Sequence, residues 1–484
     1  MELSAISDIV QTLPWLAEFA SARQAEPQPV WLVGGSVRDL LLGRTPLDID
    51  LAAPDPEPLA RRFAGLIGGR VIPLDPERGT WRVTLAPQHY VDFCRFRAQD
   101  ILGDLRGRDF TCNAIAIRLP DDDSQPLAYY DPFHGADDLR TNTLRMVEVG
   151  AFRDDPARIL RAFRFLAELP LTIEPLTLLQ VRRDADRLPL VAPERLLSEW
   201  WRLCAAPRAE TAIRLMADTG VLDVLFPEVA ATRGVTQNAY HRLDVWGHQL
   251  LAVEKMASLL AHPGEALLDL MPEFDAILRD PHRCARLLFL ALVHDIGKPA
   301  TRSVVEGRTH FYEHDAVGAE QVSALCRRMR VSRDDTRVME TVVRHHLRPL
   351  HLSHAKTLSR KAMIKFFGDT GDAAWEVMLL ALADKAAGQG PAAEPDILAQ
   401  LRAVYRQLLA FYHTIYQPAL THPYVTGRDL IRQFDIPPGP TVGSLLQQLR
   451  HLQLTGQVSS VEEAIHWLTK HGHASIPQPD STIE

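Results

Sequence analysis

The stretch WLVGGSVRDLLLGRTPLDIDLA, residues 31–52, constrains the fold more than any other part of the chain. It is typical of a buried strand that ends in a glycine pair and leads directly into a helix. Gly34 and Gly35 carry no side chain, so the backbone there can approach a triphosphate, and the free N–H groups at the start of the helix attract its negative charge. Arg38, one turn into the helix, can reach the same phosphates. The pattern predicts a site for a nucleoside triphosphate.

Two aspartates follow on the next predicted strand. Asp48 and Asp50 are separated by one residue, so both carboxylates point to one face of a sheet. Hard oxygen ligands on one face suit a pair of Mg²⁺ ions that activate an attacking hydroxyl and neutralise a leaving pyrophosphate. Two such aspartates alone also fit a solvated strand edge, but a strand, a glycine pair, a helix and this strand within about twenty residues form a far more specific pattern. We expect a nucleotidyl-transfer site.

The rest of the chain divides into a mixed region and a helical region. Strand patterns recur as far as about residue 119, whereas after about residue 152 apolar residues recur with helical spacing. The prediction is an α+β protein, with a small mixed or antiparallel sheet and its helices at the N-terminus and a long all-helical part behind it. Predicted strands after the first two are Arg70–Leu74, Trp81–Leu85, Tyr90–Phe96 and Ala114–Leu119. Predicted helices include Pro156–Glu168, Pro193–Cys204, Ala209–Thr219, Val245–Leu260, Cys284–His294, Ala316–Met329 and Asp335–His346.

Composition excludes several classes of protein. With 484 residues, 46% hydrophobic and 24% charged, the chain is long and apolar enough for about three globular domains. No apolar run reaches the roughly 18 residues of a membrane span, and the N-terminus lacks the pattern of a signal peptide. The five cysteines form no CxxC pair, which suits a reducing compartment. We expect a cytoplasmic protein without a membrane partner, whose net charge of −8 argues against indiscriminate nucleic-acid binding but leaves room for a local basic groove.

Several motifs together resemble one family. GGSVRDLLLGRTPLDIDLA is similar to the signature of class II tRNA nucleotidyltransferases and bacterial poly(A) polymerases. RGRDFTCNAIAI (Arg106–Ile117), YYDPFHGADDLR (Tyr129–Arg140) and FRDDPARILRAFRF (Phe152–Phe165) follow in the order this family shows. The resemblance implies a polymerase-β-like nucleotidyltransferase head over residues 1–150 and a helical neck with base-recognition and RNA-binding helices over 151–234. A body over 235–400 and a C-terminal helical tail over 401–484 complete the expected domains.

The resemblance also assigns roles to individual residues. Asp48 and Asp50 would be the catalytic carboxylates that bind two Mg²⁺ ions. Asp92, on the predicted strand Tyr90–Phe96, is either a further carboxylate near the metals or a solvated strand residue. The remaining residues would bind the nucleotide: Gly34, Gly35, Arg38 and Asp39 as the triphosphate cradle, Arg108, Asp109 and Asn113 at the ribose and phosphates, Asp155 and Arg158 at the edge of the base, and Arg161 as a further nucleotide-binding residue.

The assignment of Asp155 and Arg158 to the base makes chemical sense. Cytosine and adenine both present an exocyclic amino donor beside a ring-nitrogen acceptor, so one carboxylate and one guanidinium can address either base. No nucleic-acid template is then required. Outside this motif, the same two residues would fit an ordinary i,i+3 ion pair on a helix surface.

One departure from the family concerns the connection before Arg106. In full CCA-adding members a long flexible segment separates the strand from the RRDFT-like motif, whereas here VDFCRFRAQDILGDLRGRDFT runs almost directly from one to the other. Among relatives a shortened loop is associated with addition of the two cytidines only, because the pocket cannot be reshaped from CTP to ATP. The sequence favours CC addition, with complete CCA addition, A addition and poly(A) synthesis as alternatives.

A second set of candidate ligands lies in the helical region. His248, His294, Asp295 and Asp384 occur in the order H…HD…D, and imidazoles with carboxylates suit Mn²⁺, Ni²⁺, Co²⁺, Fe²⁺ or Zn²⁺. The order, with an apolar helix leading into HDIGKP, resembles the HD phosphohydrolase superfamily, although a lone helical histidine is more often a core or surface residue. Further candidates are His314, His345 and His346 as metal or phosphate ligands, and Lys298 as the cation for a substrate phosphate.

The resemblance implies tRNA as the partner, held at its elbow by the body and tail while the head meets the 3′ end. CTP or ATP, or both, would be the second substrate, and a CC-adding enzyme would need a companion that adds the adenosine. An alternative hypothesis is that only the HD body is catalytic and that the head is a degenerate nucleotide-binding module. The presence of both Asp48 and Asp50 argues against this hypothesis. An RNA-binding scaffold would leave both metal constellations unexplained. The sequence leaves the oligomeric state open.

Overall fold

A computed structural model describes residues 16–46, 48–86, 89–119, 128–237, 242–388 and 396–471. The chain forms two compact units, Met1–Pro227 and Glu228–Glu484. In the described ranges, no helix has both the length and the apolar character needed to cross a membrane.

The first unit contains a seven-stranded mixed sheet, as predicted. Its strands lie in the order β3-β4-β5-β2-β1-β6-β7, in which β2 and β5 run parallel and every other neighbouring pair runs antiparallel. The parallel pairing places Asp50 of β2 opposite Asp92 of β5. The strands are β1 (Trp31–Val33), β2 (Asp48–Ala53), β3 (Arg70–Asp75), β4 (Thr80–Ala86), β5 (His89–Arg95), β6 (Ala116–Arg118) and β7 (Ala128–Tyr130).

Helices pack against this sheet, and further helices follow it along the chain. The long helix Ala157–Glu168 buries nine of its twelve residues because its apolar side chains lie on a broad face. It packs against Pro193–Cys204, where Trp200 meets Phe226 with ring centroids 4.8 Å apart. The helices are α1 (Leu16–Ala25), α2 (Gly35–Leu41), α3 (Pro56–Ile67), α4 (Ile101–Arg106), α5 (Gly135–Arg140), α6 (Ala151–Asp154), α7 (Ala157–Glu168), α8 (Pro175–Asp184), α9 (Pro193–Cys204), α10 (Ala209–Thr219) and α11 (Val221–Leu225); two short strands, β8 (Thr143–Leu144) and β9 (Thr172–Ile173), pair beside them.

In its described residues, the second unit is helical apart from one hairpin. Its helices continue from α12 (Pro227–Ala230), at the junction of the units, with α13 (Val245–Ala261), α14 (Pro263–Leu267), α15 (Met271–Leu278), α16 (Pro281–Val293), α17 (Lys298–Thr301), α18 (His314–Arg328), α19 (Arg333–His345), α20 (Arg348–Ser353), α21 (Arg360–Thr370), α22 (Ala374–Ala387), α23 (Ile397–Phe411), α24 (Gln417–Thr421), α25 (Gly427–Gln433), α26 (Pro440–Thr455) and α27 (Val461–His471). Helices α16 and α22 are apolar on nearly every side and are buried at the centre of the unit. The candidate ligand Asp384 lies on α22, and the candidate ligands His294 and Asp295 directly follow α16.

Two local features differ from the sequence prediction. Helix α16 begins at Pro281 rather than Cys284, because Asp280 caps it by accepting hydrogen bonds from the N–H groups of His282 and Arg283. The predicted helical body also contains a hairpin of β10 (Arg302–Val305) and β11 (Arg308–Phe311). Its two turn residues, Glu306 and Gly307, have φ values of 50° and 74°, as a tight two-residue hairpin turn requires.

Candidate active site and metal centre

The glycine turn between β1 and α2 is packed against charged side chains. Gly34 has φ 68°, and a Cβ atom placed on it would lie 2.8 Å from Nη1 of Arg108 and 3.1 Å from Oδ2 of Asp50. Only glycine therefore combines this left-handed backbone with so close an approach. Ser36, which sequence reasoning did not single out, joins the turn to β2: its hydroxyl accepts a hydrogen bond from the N–H of Asp50 (2.7 Å) and donates one to the carbonyl of Asp48 (3.1 Å).

The aspartates of β2 and β5 form a concentration of negative charge. Burial raises the pKa of Asp50 to about 6; Arg108 opposes this rise, and the carboxylates of Asp92 and Asp48 add to it. Both oxygens of Asp92 accept hydrogen bonds from Arg82, at 2.7 and 2.8 Å, so its charge is already balanced. Asp48 is exposed. Asp48 and Asp50 offer the hard oxygen ligands that a divalent cation prefers.

A chain of polar contacts supports the cradle next to these aspartates. Arg38 donates to Oδ1 of Asp39 through Nε and Nη2 at 2.9 and 2.8 Å, and to Oδ1 of Asn113 through Nη1 at 3.0 Å. Asn113 in turn donates to Oδ1 of Asp109 at 2.9 Å, and Arg161 forms an ion pair with Oδ2 of that carboxylate, also at 2.9 Å. Burial would raise the pKa of Asp109, but these partners lower it to about 2. Five predicted nucleotide-binding residues thus lie in one connected group.

The residues before Arg108 are held in place by Asp104, a buried carboxylate that sequence reasoning missed. One oxygen of Asp104 accepts hydrogen bonds from Nε and Nη2 of Arg108, at 3.0 and 2.9 Å, and the other accepts the main-chain N–H of Arg97 at 3.1 Å. Nη1 of Arg97 donates to the carbonyl of Gly107. The connection from β5 to the Arg108 motif is therefore short and tied together at both ends.

Asp155 and Arg158 do not pair with each other. Arg158 donates to three main-chain carbonyls, of which that of Gly107 is nearest at 2.7 Å. Asp155 instead accepts from Nη2 of Arg195 at 2.8 Å. Sequence reasoning missed Arg195, which lies 40 residues further along the chain on α9. The i,i+3 surface ion pair considered as an alternative is absent for these two described residues.

A cavity of about 940 Å³ contains most of these groups. Its volume is in the range of pockets that enclose a nucleotide-sized ligand. The lining residues come from β1, β2, the β3–β4 hairpin, the end of β5, the connection around Arg108, and the segment from Asp154 to Arg195. Among them are Gly34, Gly35, Asp50, Arg108, Asp109, Asn113, Asp155, Arg158, Arg161 and Arg195.

The candidate ligands of the second unit meet in the buried interior of that unit. His248, His294 and Asp384 offer ligand atoms within 4.8 Å of one another, and so do Asp295, His314 and His346. Nε2 of His248 lies 2.9 Å from Oδ1 of Asp384, and Nε2 of His294 lies 3.2 Å from Oδ2 of Asp295. All six side chains are buried. His345, in contrast, belongs to neither group.

The imidazoles are oriented as metal ligands usually are. Nδ1 of His294, His314 and His346 lies 3.0, 2.8 and 2.6 Å from the carbonyl of the residue three positions earlier, which leaves each Nε2 facing the cluster. Nε2 of His294 and of His314 is buried and lies 3.2 and 3.4 Å from the carboxylate of Asp295, but in the described part of the chain neither makes a contact with hydrogen-bond geometry. Burial, together with the neighbouring His294 and His314, lowers the pKa of His346 to about 3, which keeps it neutral as a ligand must be. The donor set suits a transition-metal ion.

Two lysines balance the carboxylates of this cluster. Nζ of Lys298 lies 2.6 Å from Oδ2 of Asp295 and donates to Gln237 at 2.7 Å, and Nζ of Lys385 lies 2.9 Å from Oδ2 of Asp384. Lys298 is buried, and its predicted contact with a substrate phosphate stays a prediction. Lys385 was not singled out from the sequence, although it directly follows the predicted ligand.

A close approach at Gly297 brings His314 to Asp295. A Cβ atom on Gly297 would lie 2.2 Å from the carbonyl oxygen of His314 and 2.6 Å from the main-chain nitrogen of Gly318. The start of α18 can therefore approach the HD segment only because Gly297 lacks a side chain. Nε2 of His314 then lies 3.4 Å from Oδ1 of Asp295.

Family models match successive parts of the chain. The poly A polymerase head domain matches residues 30–145, and the probable RNA and SrmB-binding site of polymerase A matches residues 170–232. The HD domain matches residues 246–388, and the putative tRNA nucleotidyltransferase domain 2 matches residues 419–468.

Relatives cover most of the chain. The A-adding tRNA nucleotidyltransferase of Deinococcus radiodurans is 35% identical over 90% of this chain and 94% of its own length. The CC-adding tRNA nucleotidyltransferase of Thermus thermophilus is 31% identical over 90% of this chain and 92% of its own. The structure of the Thermotoga maritima CCA-adding enzyme shares the fold, with a TM-score of 0.62 and 21% identity over 96% of this chain and 98% of its own. This chain is an enzyme and belongs to the class II CCA-adding family of tRNA nucleotidyltransferases.

Proposed function

We propose that the head transfers CMP from CTP to the 3′ end of tRNA and stops after two cytidines. The observation that carries the choice of product is the connection over residues 96–107. It consists of little more than the six-residue helix α4, and Asp104 ties its two ends to Arg97 and Arg108. A connection so short and so firmly held has little freedom to reshape the pocket for a second base.

The chemistry follows from the groups around the cavity. The 3′-oxygen of the tRNA forms the new bond to the α-phosphorus of the nucleotide, and pyrophosphate leaves. Asp48 and Asp50 would hold Mg²⁺, which when bound polarises the reacting phosphate and neutralises the charge of pyrophosphate. The Gly34 turn and Arg108 would receive the triphosphate, and Asp155 would accept a hydrogen bond from the exocyclic amino group of the base.

Three tRNA substrates test this proposal, ending before the first cytidine, after one and after two. Each is incubated with Mg²⁺ and CTP, ATP or both, and the products are resolved to single nucleotides. We expect extension to stop at two cytidines even with ATP present, and chelation of Mg²⁺ to abolish it. Addition of the final adenosine to the CC-ended tRNA would contradict the short-connection argument.

A specific observation also favours A addition as a second candidate. The relative from Deinococcus radiodurans, at 35% identity, is named an A-adding enzyme, whereas the relative from Thermus thermophilus, at 31%, is named a CC-adding enzyme. The two activities separate in the same assay, because an A-adding enzyme extends only the CC-ended tRNA and only with ATP. In that outcome the companion enzyme would supply the cytidines instead of the adenosine.

We further propose that the second unit is a metal-dependent phosphohydrolase. The support is the buried group of four imidazoles and two carboxylates, with two Nε2 atoms that have no hydrogen-bond partner in the described residues. His248, His294, Asp295 and Asp384 would hold a transition-metal ion such as Mn²⁺, Ni²⁺ or Co²⁺, with His314 and His346 as further ligands. The bound ion would supply a Lewis acid for cleavage of a phosphate ester.

Reciprocal variants separate the two sites. An Asp48→Ala, Asp50→Ala double variant should lose nucleotide addition and keep hydrolysis of a 2′,3′-cyclic nucleotide, whereas a His294→Ala, Asp295→Ala variant should lose hydrolysis and metal content and keep addition. Hydrolysis that survives the second change would refute the HD assignment. Addition that survives the first would refute the head assignment.

tRNA is the proposed partner of the helical body and of the C-terminal tail. The structure of the Thermotoga maritima enzyme that shares this fold is a complex with tRNA. By analogy, the body and tail would bind the tRNA elbow while the head meets the 3′ end. An enzyme with this substrate would work in the cytoplasm, where tRNA maturation takes place in bacteria.

A further inference from the structure

We infer that Arg195 is a positioning residue that aligns Asp155 for recognition of the exocyclic amino group of the incoming base. This inference rests on the proposed nucleotidyl transfer and adds to it a residue from the neck helix α9. It starts from the finding that Asp155 pairs with Arg195 and not with Arg158.

The carboxylate of Asp155 is held at two points. Oδ1 accepts the main-chain N–H of Ala157 at 3.2 Å, and Oδ2 accepts Nη2 of Arg195 at 2.8 Å. Each carboxylate oxygen can accept a second hydrogen bond, so both remain able to receive an amino group from a base. The two contacts define the plane of the carboxylate. Burial raises the pKa of Asp155, but the hydrogen bond and charge of Arg195 outweigh this and keep it ionised.

Arg195 itself extends from a rigid support. On the same helix, Glu199 forms a partly buried ion pair with Arg164 at 2.5 Å, and Trp200 is fully buried. The main chain of α9 is thus anchored one turn after Arg195. The side chain of Arg195 is 58% exposed and lines the cavity next to Asp155. A guanidinium anchored in this way can hold a carboxylate that would otherwise rotate about its own side-chain bonds.

Arg158 does not provide this restraint. Its guanidinium donates to the carbonyls of Gly107, Arg108 and Ala151, which joins the start of α7 to the Arg108 segment. Without Arg195, the carboxylate of Asp155 would retain, among the described residues, only the hydrogen bond from the N–H of Ala157. The carboxylate would then sample several orientations.

Orientation of this carboxylate matters for choosing between bases. Cytosine and adenine present an amino donor to it, whereas uracil and guanine present a carbonyl oxygen at the corresponding position, which a carboxylate repels. An aligned Asp155 therefore favours the first pair and rejects the second. Loss of Arg195 should weaken nucleotide binding and reduce discrimination together.

The test compares Arg195→Gln with Arg202→Gln in the tRNA extension assay. Arg202 is a matched control, since it lies on α9, is also 58% exposed, and also pairs with a carboxylate, Glu168. For Arg195→Gln we expect KM for the nucleotide that the wild type uses to rise about tenfold, as the loss of a hydrogen bond to a charged group implies. Preference over the carbonyl-bearing nucleotide of similar size, UTP for CTP or GTP for ATP, should fall by a similar factor. The value of kcat should change much less than KM, and Arg202→Gln should resemble the wild type.

Two further variants show whether Arg195 acts through Asp155. Arg195→Lys keeps a charge and a hydrogen-bond donor and should recover part of the lost affinity and discrimination. In an Asp155→Asn background, removal of Arg195 should add little to KM, because the group it aligns is already changed. A full additional tenfold effect in that background would overturn the inference.

The remaining outcomes are also decisive. Unchanged KM and discrimination in Arg195→Gln, with an active wild type, would overturn the inference and leave the proposed function standing. A wild type that adds no nucleotide to any of the three tRNAs would instead overturn the proposed function. Arg195→Gln would be judged misfolded if its melting temperature were lower than that of Arg202→Gln. In that case Arg195→Lys would be used for the test instead. Wild-type KM with reduced kcat in Arg195→Lys would then refute a positioning role.

Discussion

Replacing Asp109 with asparagine should destabilise the first unit by about 2 kcal/mol at pH 7. Asp109 accepts hydrogen bonds from the N–H of Phe110 and from Asn113, and forms an ion pair with Arg161. These partners bring its pKa from the ordinary value of 3.8 to about 2. At about 1.4 kcal/mol for each pKa unit, the difference corresponds to about 2 kcal/mol of unfolding free energy. The asparagine keeps the shape of the side chain but removes its charge from Arg161.

The pH dependence has a definite sign. The pKa is lower in the folded state than in the unfolded state, so the carboxylate stabilises the fold fully well above pH 3.8 and loses this contribution as pH falls through about 2. The difference between wild type and Asp109→Asn should be constant between pH 7 and pH 5 and about half as large near pH 3.

Hydrogen exchange measured across a series of urea concentrations gives this difference for the first unit alone, from peptides within Met1–Pro227. Asp186→Asn is the control, because Asp186 is exposed and in the same unit; it should change stability by less than about 0.5 kcal/mol. An Asp109→Asn variant as stable as this control at pH 7 would refute the reasoning. A difference that stayed undiminished at pH 3 would do so as well.

Three further changes test close packing at the two sites. Gly34→Ala should reduce nucleotide addition at least 100-fold, because its Cβ would lie 3.1 Å from Oδ2 of Asp50 in a backbone with φ 68°; addition within tenfold of wild type would contradict this. Ser36→Ala should lower the unfolding free energy by about 1–2 kcal/mol by leaving the N–H of Asp50 without its partner, measured by urea unfolding. Gly297→Ala should lower metal content and hydrolysis and leave nucleotide addition intact, since its Cβ would lie 2.2 Å from the carbonyl of His314; full metal occupancy, measured by elemental analysis, would show that the approach of α18 is unnecessary.

Short-range spacing predicted a large part of the fold and of the head site. The strand, glycine turn, helix and second strand follow one another over residues 31–53 in the order that the pattern of residues 31–52 predicts. The same-face placement of Asp48 and Asp50 follows from the two-residue period of a strand, which depends on backbone geometry and not on packing. The predicted start of α16 was wrong because the prediction relied on apolar periodicity. The helix begins instead directly after a capping residue, Asp280, which is followed by a proline.

Spacing along the chain does not predict contacts between residues that are far apart in sequence. The i,i+3 spacing allowed an ion pair of Asp155 with Arg158 as an alternative to base recognition, but Asp155 pairs with Arg195 on α9 instead. Similarly, Arg82 on β4 neutralises Asp92 through the register of the sheet.

The sequence by itself determined which residue types are present in local motifs, and therefore the kinds of chemistry that each segment can perform. Only the tertiary structure decided which partners those side chains have. His345 and His346 are neighbours in the chain, yet His346 belongs to the buried group of candidate ligands and His345 does not, because side chains of consecutive residues at the end of a helix point in different directions. The physical reason is that backbone periodicity fixes direction within one element, whereas burial, ion pairing and pKa depend on which elements pack together.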